Sequence, residues 1–198
     1  VPPGLTGGPT LGPDTATTVN VAPGIATRLL PILPGESFIQ GSVAGRGGQA
    51  SVQKAGIDFG ARVYVVDDYF NAVPGRPADV RINTPTDAYA PAVSTAGINT
   101  TFGYTDLIIF SMRRAATHYL TVSDYGGSGL DVIASSTFTL KAADPMGLQL
   151  LLPGETAVPG SGNYPSGGKT VGASTQTAGR GFSATVNLVD RYMNVYKD

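Results

Sequence analysis

The segment from Phe59 to Val73 reads FGARVYVVDDYFNAV, and a second version of it, FSATVNLVDRYMNVY, runs from Phe182 to Tyr196. Apolar residues occupy every second position in the first half of each version, which is typical of a β-strand with one buried face. Each predicted strand leads into the cluster Asp-x-Tyr-x-Asn. This cluster favours a turn, because Asp and Asn side chains can hydrogen-bond to their own nearby backbone.

The two predicted strands belong to a longer internal repeat. Leu33–Glu36, LPGE, returns 119 residues later as Leu152–Glu155, and Thr18–Val21 aligns at the same offset with Thr137–Leu140. The predicted strand itself, Phe59–Asp67, returns after 123 residues as Phe182–Asp190. The chain is therefore predicted to hold the last strand of one repeat, one whole repeat and the opening half of another. This period is longer than the roughly 20–50 residues of solenoid repeats and is typical of tandem domains.

The composition favours short strands joined by many turns, because the 198 residues include 27 glycines and 15 prolines. Only 14% of the residues are charged and the formal net charge is −1, so neither nucleic acid nor an anionic membrane is an expected partner. The chain has no cysteine, which excludes disulfides and thiolate chemistry. No apolar run approaches the roughly 20 residues that a membrane-spanning helix needs.

Turn signals divide the whole repeat into about seven strands, as a β-sandwich requires. Further strands are predicted at Thr15–Ala22, Asp79–Thr84, Asp106–Met112, Thr117–Ser123 and Asp131–Leu140. A helix over residues 106–120 is the alternative for the third of these, but the β-forming residues in this stretch favour a strand. The inward positions predict a core of Phe59, Ala61, Val63, Val65, Val80, Ile82, Leu120, Val122, Phe138 and Leu140.

Three segments carry a resemblance to a known family. They are VYVVDDYFNAVPG at Val63–Gly75, VRINTP at Val80–Pro85 and THYLTVSD at Thr117–Asp124. Together they resemble bacterial immunoglobulin-like repeats of large exported surface proteins, including adhesins of the invasin and intimin type. The resemblance covers most of residues 28–198.

The family pattern is an apolar strand followed by Asp-x-x-Gly-Asn-x-Val-x-Gly. The matching residues of this chain are Asp67, Asn71, Val73 and Gly75. Phe70 stands in place of the family's glycine, as Met193 does in the second version. A loop built on a type I turn is therefore expected in place of a tight glycine turn.

The resemblance and the repeat together predict an all-β fold, an immunoglobulin-like β-sandwich with one complete repeat, a partial second repeat and an extra N-terminal strand. Residues 1–27 would form a linker and an orphan strand, residues 28–147 the complete domain, and residues 148–198 half of a second domain. The resemblance implies an extracellular or cell-surface location and a structural role in a filament, sheath or adhesin stalk. The alternative is a module that binds a host or glycan ligand.

Few residues suggest chemistry, and the chain is predicted not to be an enzyme. His118 is the only histidine, and no nucleophile-elbow motif accompanies it. The cofactor prediction is none, except that two turns carry the oxygen ligands that calcium prefers. The calcium candidates are Asp67, Asp68, Asn71 and Asp131, with local turn hydrogen bonding as the alternative. Asn99 begins a glycosylation sequon.

The two ends of the chain predict that its partners are copies of itself or neighbouring repeats. The candidate donor residues are Thr18, Val19, Asn20 and Val21, which belong to a final strand without the rest of its domain. The candidate acceptor residues are Phe182, Val186 and Leu188, which lie on a strand with an uncovered apolar face and edge. Head-to-tail strand addition between these ends is heterologous, so that it would generate a filament.

Overall fold

The structure is a computed structural model that describes residues 15, 18–90 and 94–197. Within these residues the chain forms strands and no helix, which confirms the all-β prediction. The strands are β1 Arg28–Ile32, β2 Glu36–Phe38, β3 Arg46–Gly48, β4 Gln53–Lys54, β5 Phe59–Val66, β6 Asp79–Asn83, β7 Ser94–Gly97, β8 Tyr104–Ile109, β9 Ala116–His118, β10 Thr121–Asp124, β11 Asp131–Val132, β12 Phe138–Lys141, β13 Gly147–Leu151 and β14 Thr185–Val189.

The whole repeat is a two-layer sandwich. One layer is the sheet β11-β1-β5-β8, in which β5 pairs antiparallel with both β1 and β8 while β11 runs parallel to β1. The other layer consists of two three-stranded sheets, β10-β6-β7 and β4-β12-β9. One core cluster draws its residues from both layers, and every predicted core residue is buried in it. The alternation of apolar residues along β5 therefore identified the face that is removed from water.

Two predicted strands are each divided because the chain changes sheets. The strand predicted at residues 117–123 is β9, which pairs with β12, followed by β10, which pairs with β6. The strand predicted at residues 131–140 is likewise β11, on the layer of β1, followed by β12 in the opposite layer. The predicted strand at residues 106–112 forms as β8, so the helical alternative is wrong.

The strand predicted at Thr15–Ala22 does not form in its described residues 18–22. Within the described part of the chain, no strand forms β-ladder hydrogen bonds with these residues. The side chains of Val19 and Val21 are accordingly 79% and 88% exposed.

The partial second repeat reproduces the first in register. β13 and β14 pair antiparallel with Leu148 opposite Leu188, just as β1 and β5 pair with Leu29 opposite Val65. The predicted strand at residues 182–190 is shorter than expected, because β14 spans only Thr185–Val189. Its ladder with β13 ends at Leu151.

The two repeats differ in what covers their sheets. Leu29 and Val63 are fully buried in the whole repeat, where the second layer covers them. Their counterparts Leu148 and Val186 are 64% and 58% exposed, because the described residues contain no second layer over β13 and β14. The second repeat is therefore half of a sandwich.

Candidate assembly site

The Asp67 loop, residues 67–71, is organised around one buried carboxylate. Asp67 Oδ1 accepts hydrogen bonds from the backbone N–H groups of Tyr69 and Asn71 at 2.9 and 2.8 Å. Asp67 Oδ2 accepts from the Gly24 N–H at 2.8 Å and from Asn71 Nδ2 at 3.0 Å. The loop is therefore held closed by Asp67 and is tied by Gly24 to the segment that precedes β1.

The Asp190 loop, residues 190–194, has the same arrangement. Asp190 Oδ1 accepts from the N–H groups of Tyr192 and Asn194 at 2.8 and 2.9 Å. Asp190 Oδ2 accepts from the Ala143 N–H and from Asn194 Nδ2, both at 2.8 Å. Ala143 follows Gly24 by 119 residues, the offset of the repeat. The aspartate of each loop thus accepts a hydrogen bond from the segment that precedes the first strand of its own repeat.

In both loops, the residue at the position of the family's glycine has a left-handed backbone conformation. Phe70 has φ of 60° and Met193 has φ of 63°. The turn preceding each is closed by an N–H···O bond of 3.1 Å, from Phe70 to Asp67 and from Met193 to Asp190. A left-handed non-glycine residue costs about 1–2 kcal/mol. Apolar contacts offset this cost, since the Phe70 ring packs on the outer cluster around Leu30.

The Asp190 loop also docks on the whole repeat. Asn194 is fully buried; its Oδ1 accepts from the Ala115 N–H at 2.8 Å, and its Nδ2 donates to the Arg113 carbonyl at 2.7 Å. The Tyr192 ring packs on the main core and lies so close to Gly56 that a methyl group at Gly56 would overlap it. We name the surface formed by Gly56, Arg113 and Ala115 the end face of the sandwich.

Acid is expected to weaken the Asp67 loop. Burial raises the pKa of Asp67, but the hydrogen bonds from Asn71, Gly24 and Tyr69 together outweigh burial and hold the pKa below its usual value. A carboxyl group with a lowered folded-state pKa stabilises the fold above the unfolded-state pKa of about 4, and this stability is lost as pH falls through the folded-state value.

Melting temperatures of the natural chain and Asp67→Asn between about pH 2 and pH 7 test this expectation. The variant should melt lower at neutral pH, and the difference should shrink below about pH 4. A difference that stays constant down to the lowest pH would show that the Asp67 charge does not hold the loop.

The partial repeat also presents an unpaired strand edge. In the whole repeat, β4 pairs parallel with β12, with Gln53 opposite Leu140. The counterpart of Gln53 is Gln176, and both side chains donate to a serine carbonyl two residues earlier, at 3.1 and 2.9 Å. Gln176 and Thr177 are exposed and have no ladder partner among the described residues. The edge that receives β12 in the first repeat is thus preformed and open in the second.

The predicted acceptor residues are also exposed. Phe182, Val186 and Leu188 are 57%, 58% and 43% exposed, and Leu148 and Leu150 join them. The equivalent of Phe182 is Phe59, which is buried and packs edge-on against Phe138 of β12, with ring centroids 5.5 Å apart. A contiguous exposed apolar face of this kind typically marks an interaction surface.

The calcium candidates are not brought together as one ligand set. Asp67 uses both oxygens on donors of its own repeat, and Asp68 Oδ1 accepts from Thr27 Oγ1 and Arg28 Nη2, each at 3.0 Å. Asp131 is exposed on β11. In the described part of the chain, no group of three or more His, Cys, Asp or Glu side chains could hold a metal ion.

Sequence reasoning missed the carboxylate that holds the glycine-rich turn before β11. Asp124 Oδ2 accepts from the N–H groups of Gly129 and Leu130 at 2.6 and 3.2 Å and from Ser128 Oγ at 2.9 Å. Burial raises the pKa of Asp124, while these hydrogen bonds outweigh it and lower the pKa. A carboxylate just before a Gly-Gly-Ser-Gly run was the available signal.

His118 is fully buried and lies in a structural environment. It is 1% exposed; its Nδ1 lies 2.8 Å from Thr86 Oγ1, and its Nε2 lies 2.7 Å from the Arg114 carbonyl oxygen. Both ring nitrogens are thus occupied by neighbours within the fold. The prediction that the chain is not an enzyme stays a prediction.

A groove of about 750 Å³ lies between the whole repeat and the partial one. Its lining consists of aliphatic, Thr, Asn and Lys side chains, including Leu140, Leu151 and Thr185, and contains no aromatic ring. Small-molecule sites are usually lined by hydrophobic and aromatic side chains with a few polar groups, and this groove has the aliphatic and polar side chains alone.

No protein-family model matches the chain. The search of curated proteins likewise found no match. Over residues 15, 18–90 and 94–197, the structure has no helix with the length and apolar character to cross a membrane. The immunoglobulin-like assignment therefore stays a prediction.

Proposed function

We propose that the chain is a structural module of an extracellular filament, sheath or adhesin stalk, and that its modules assemble head to tail by strand addition. The observation that carries the proposal is the half-sandwich, whose apolar face and Gln176 edge are left uncovered by the residues that the structure describes. The whole repeat supplies a template for what would cover them. The extracellular location comes from the family resemblance.

The template gives the register of the added strand. Val21 aligns with Leu140, and Gln176 aligns with Gln53. Since Leu140 lies opposite Gln53 in a parallel ladder, Val21 of one subunit should lie opposite Gln176 of the next, and Ala22 opposite Thr177. Val19 aligns with Phe138 and would pack on Phe182 in the same way that Phe138 packs on Phe59.

This register explains the alternation in the N-terminal segment. Val19 and Val21 are among the most exposed large apolar residues of the chain, while Phe138 and Leu140 are 3% and 1% exposed. Fully burying one valine stabilises a protein by about 1.5–3 kcal/mol. The donated strand would therefore gain apolar burial as well as backbone hydrogen bonds. The donated strand replaces the counterpart of β12, and further contacts between neighbouring modules would have to supply the counterparts of β6 to β11.

Substitution of the donated strand tests the proposal. Sedimentation velocity and electron microscopy of the full chain should show concentration-dependent rods. Val21→Asp should lower the polymerised fraction at least tenfold, since a charge would enter the half-sandwich. The matched control is Val43→Asp, at a valine that is 100% exposed, and it should assemble as the natural chain does.

Two results would contradict strand addition. One is polymerisation of Val21→Asp, or of a chain lacking residues 1–22, to the same extent as the natural chain. The other is a monodisperse monomer at all concentrations, and binding of that monomer to a glycan array would then support the alternative of a ligand-binding module.

A further inference from the structure

We propose that the Asp67 loop is a second docking element, and that its Tyr69 and Asn71 seat on the end face of a complete sandwich of the same kind that precedes this one. The inference rests on the proposed stacking role and names the surface and the partner of that role. It concerns contacts between ends of sandwiches and does not depend on strand donation by residues 18–22.

The Asp190 loop provides the template for this contact. Its Asn194 carboxamide bonds to the Arg113 carbonyl and the Ala115 N–H of the end face, and its Tyr192 ring covers Gly56. The Arg113 guanidinium carbon also lies 5.4 Å from the Tyr192 ring centroid, a cation–π geometry. One tyrosine and one asparagine thus make the contacts of this loop with the end face.

The Asp67 loop presents the same two side chains, and no described residue covers them as the end face covers Tyr192 and Asn194. Tyr69 corresponds to Tyr192 and is 75% exposed. The Asn71 amide bonds within its own loop through Nδ2, and no hydrogen bond joins Asn71 Oδ1 to another described residue. Since the internal geometry of the two loops is the same, the Asp67 loop is already shaped to bind an end face.

The connection between units identifies the occupant. Leu140 ends the apolar face of β12, and three residues later Ala143 donates its N–H to Asp190. Val21 stands in the position of Leu140, and three residues later Gly24 donates its N–H to Asp67. A complete sandwich whose own last strand takes the place of residues 18–21 would therefore place its end face beside Tyr69 and Asn71. The occupant is a complete preceding unit that presents counterparts of Gly56, Arg113 and Ala115.

A tandem chain can test the contact directly. It joins a copy of residues 24–141 to Pro23 of the natural chain in place of residues 1–22, the seam that the 119-residue offset defines. The chain has no tryptophan, so Tyr69→Trp and Tyr192→Trp each introduce one reporter whose emission and acrylamide quenching depend on burial. Tyr192→Trp in the natural chain calibrates the docked state, and Tyr69→Trp in the natural chain calibrates the free state.

In the tandem, the tryptophan introduced by Tyr69→Trp in the downstream unit should emit at a shorter wavelength than in the natural chain. Its acrylamide quenching constant should fall severalfold, toward the value of the docked reference. Adding Asn71→Ala in that unit should reverse the shift. A reporter at position 69 that stays as accessible in the tandem as in the natural chain would overturn the inference. The inference would also be overturned by a tandem in which the upstream unit fails to fold while the downstream unit is intact. The upstream unit contains β1 to β12, and the Asp67 loop of the downstream unit should cover its end face.

These outcomes separate the inference from the proposed function. The tandem has no free donor strand, so it reports on the docking of the Asp67 loop alone. Failure of strand addition would instead appear as normal assembly of Val21→Asp, a substitution that leaves Tyr69 and Asn71 unchanged.

Discussion

Val63→Asp should abolish the cooperative thermal transition of the whole repeat, whereas the same substitution at the equivalent Val186 should leave it intact. Val63 is fully buried at the centre of β5, and an unpaired carboxylate there costs several kcal/mol. That cost is comparable to the total stability of a domain, about 5–15 kcal/mol. Val186 is 58% exposed, so its replacement buries no charge in the single chain.

Circular dichroism melts of the two variants measure the contrast. The natural chain and Val186→Asp should melt within a few degrees of each other. Unchanged melting of Val63→Asp would contradict the register of β5. The proposed assembly adds a second readout, because Val186→Asp should fold normally and yet fail to polymerise.

Asn194→Ala should be far more destabilising than Asn71→Ala, although the two residues occupy the same position of the same loop. The Asn194 substitution leaves the Arg113 carbonyl and the Ala115 N–H without their partner at a buried contact. One unsatisfied buried polar group costs about 1–3 kcal/mol, so a total of about 2–6 kcal/mol is expected for the two groups. Asn71→Ala removes only hydrogen bonding within the loop and should cost about 1 kcal/mol.

Urea denaturation of the two variants gives both free energies of unfolding. If unfolding proceeds in two steps, the Asn194 substitution should lower the first midpoint, the one that reports on the partial repeat and its joint with the sandwich. Equal losses for the two variants would show that the Asn194 contacts do not hold the joint.

The sequence predicted the repeat and the buried face well, because both depend on local and periodic signals. The strict alternation from Phe59 to Val65 places each apolar side chain in the core. The two LPGE segments form the same hydrogen bond. The Leu33 N–H donates to Glu36 Oε2 and the Leu152 N–H donates to Glu155 Oε2, both at 2.8 Å.

Features that depend on distant partners could not be predicted. The chain changes sheets between β9 and β10 because β9 pairs with β12 whereas β10 pairs with β6. The apolar alternation of residues 117–123 gives no sign of this change, because it is continuous, as in a single strand. Val66 breaks the alternation after Val65, yet it is buried in an outer cluster with Leu30 that the hairpin β2–β3 and Phe70 help to cover. The docking of Asn194 on Arg113 and Ala115 joins residues about 80 positions apart, and nothing local to either segment signals it.

The parallel pairing of β1 with β11 has a mechanical consequence. Arg28 lies opposite Asp131 and Leu29 opposite Val132, so the segment that enters β1 and the segment that leaves β11 lie at opposite ends of the pair. A force that pulls these two segments apart would slide β1 along β11 and load the hydrogen bonds between the strands together instead of one by one. A shear geometry of this kind resists such a force better than an unzipping hairpin does.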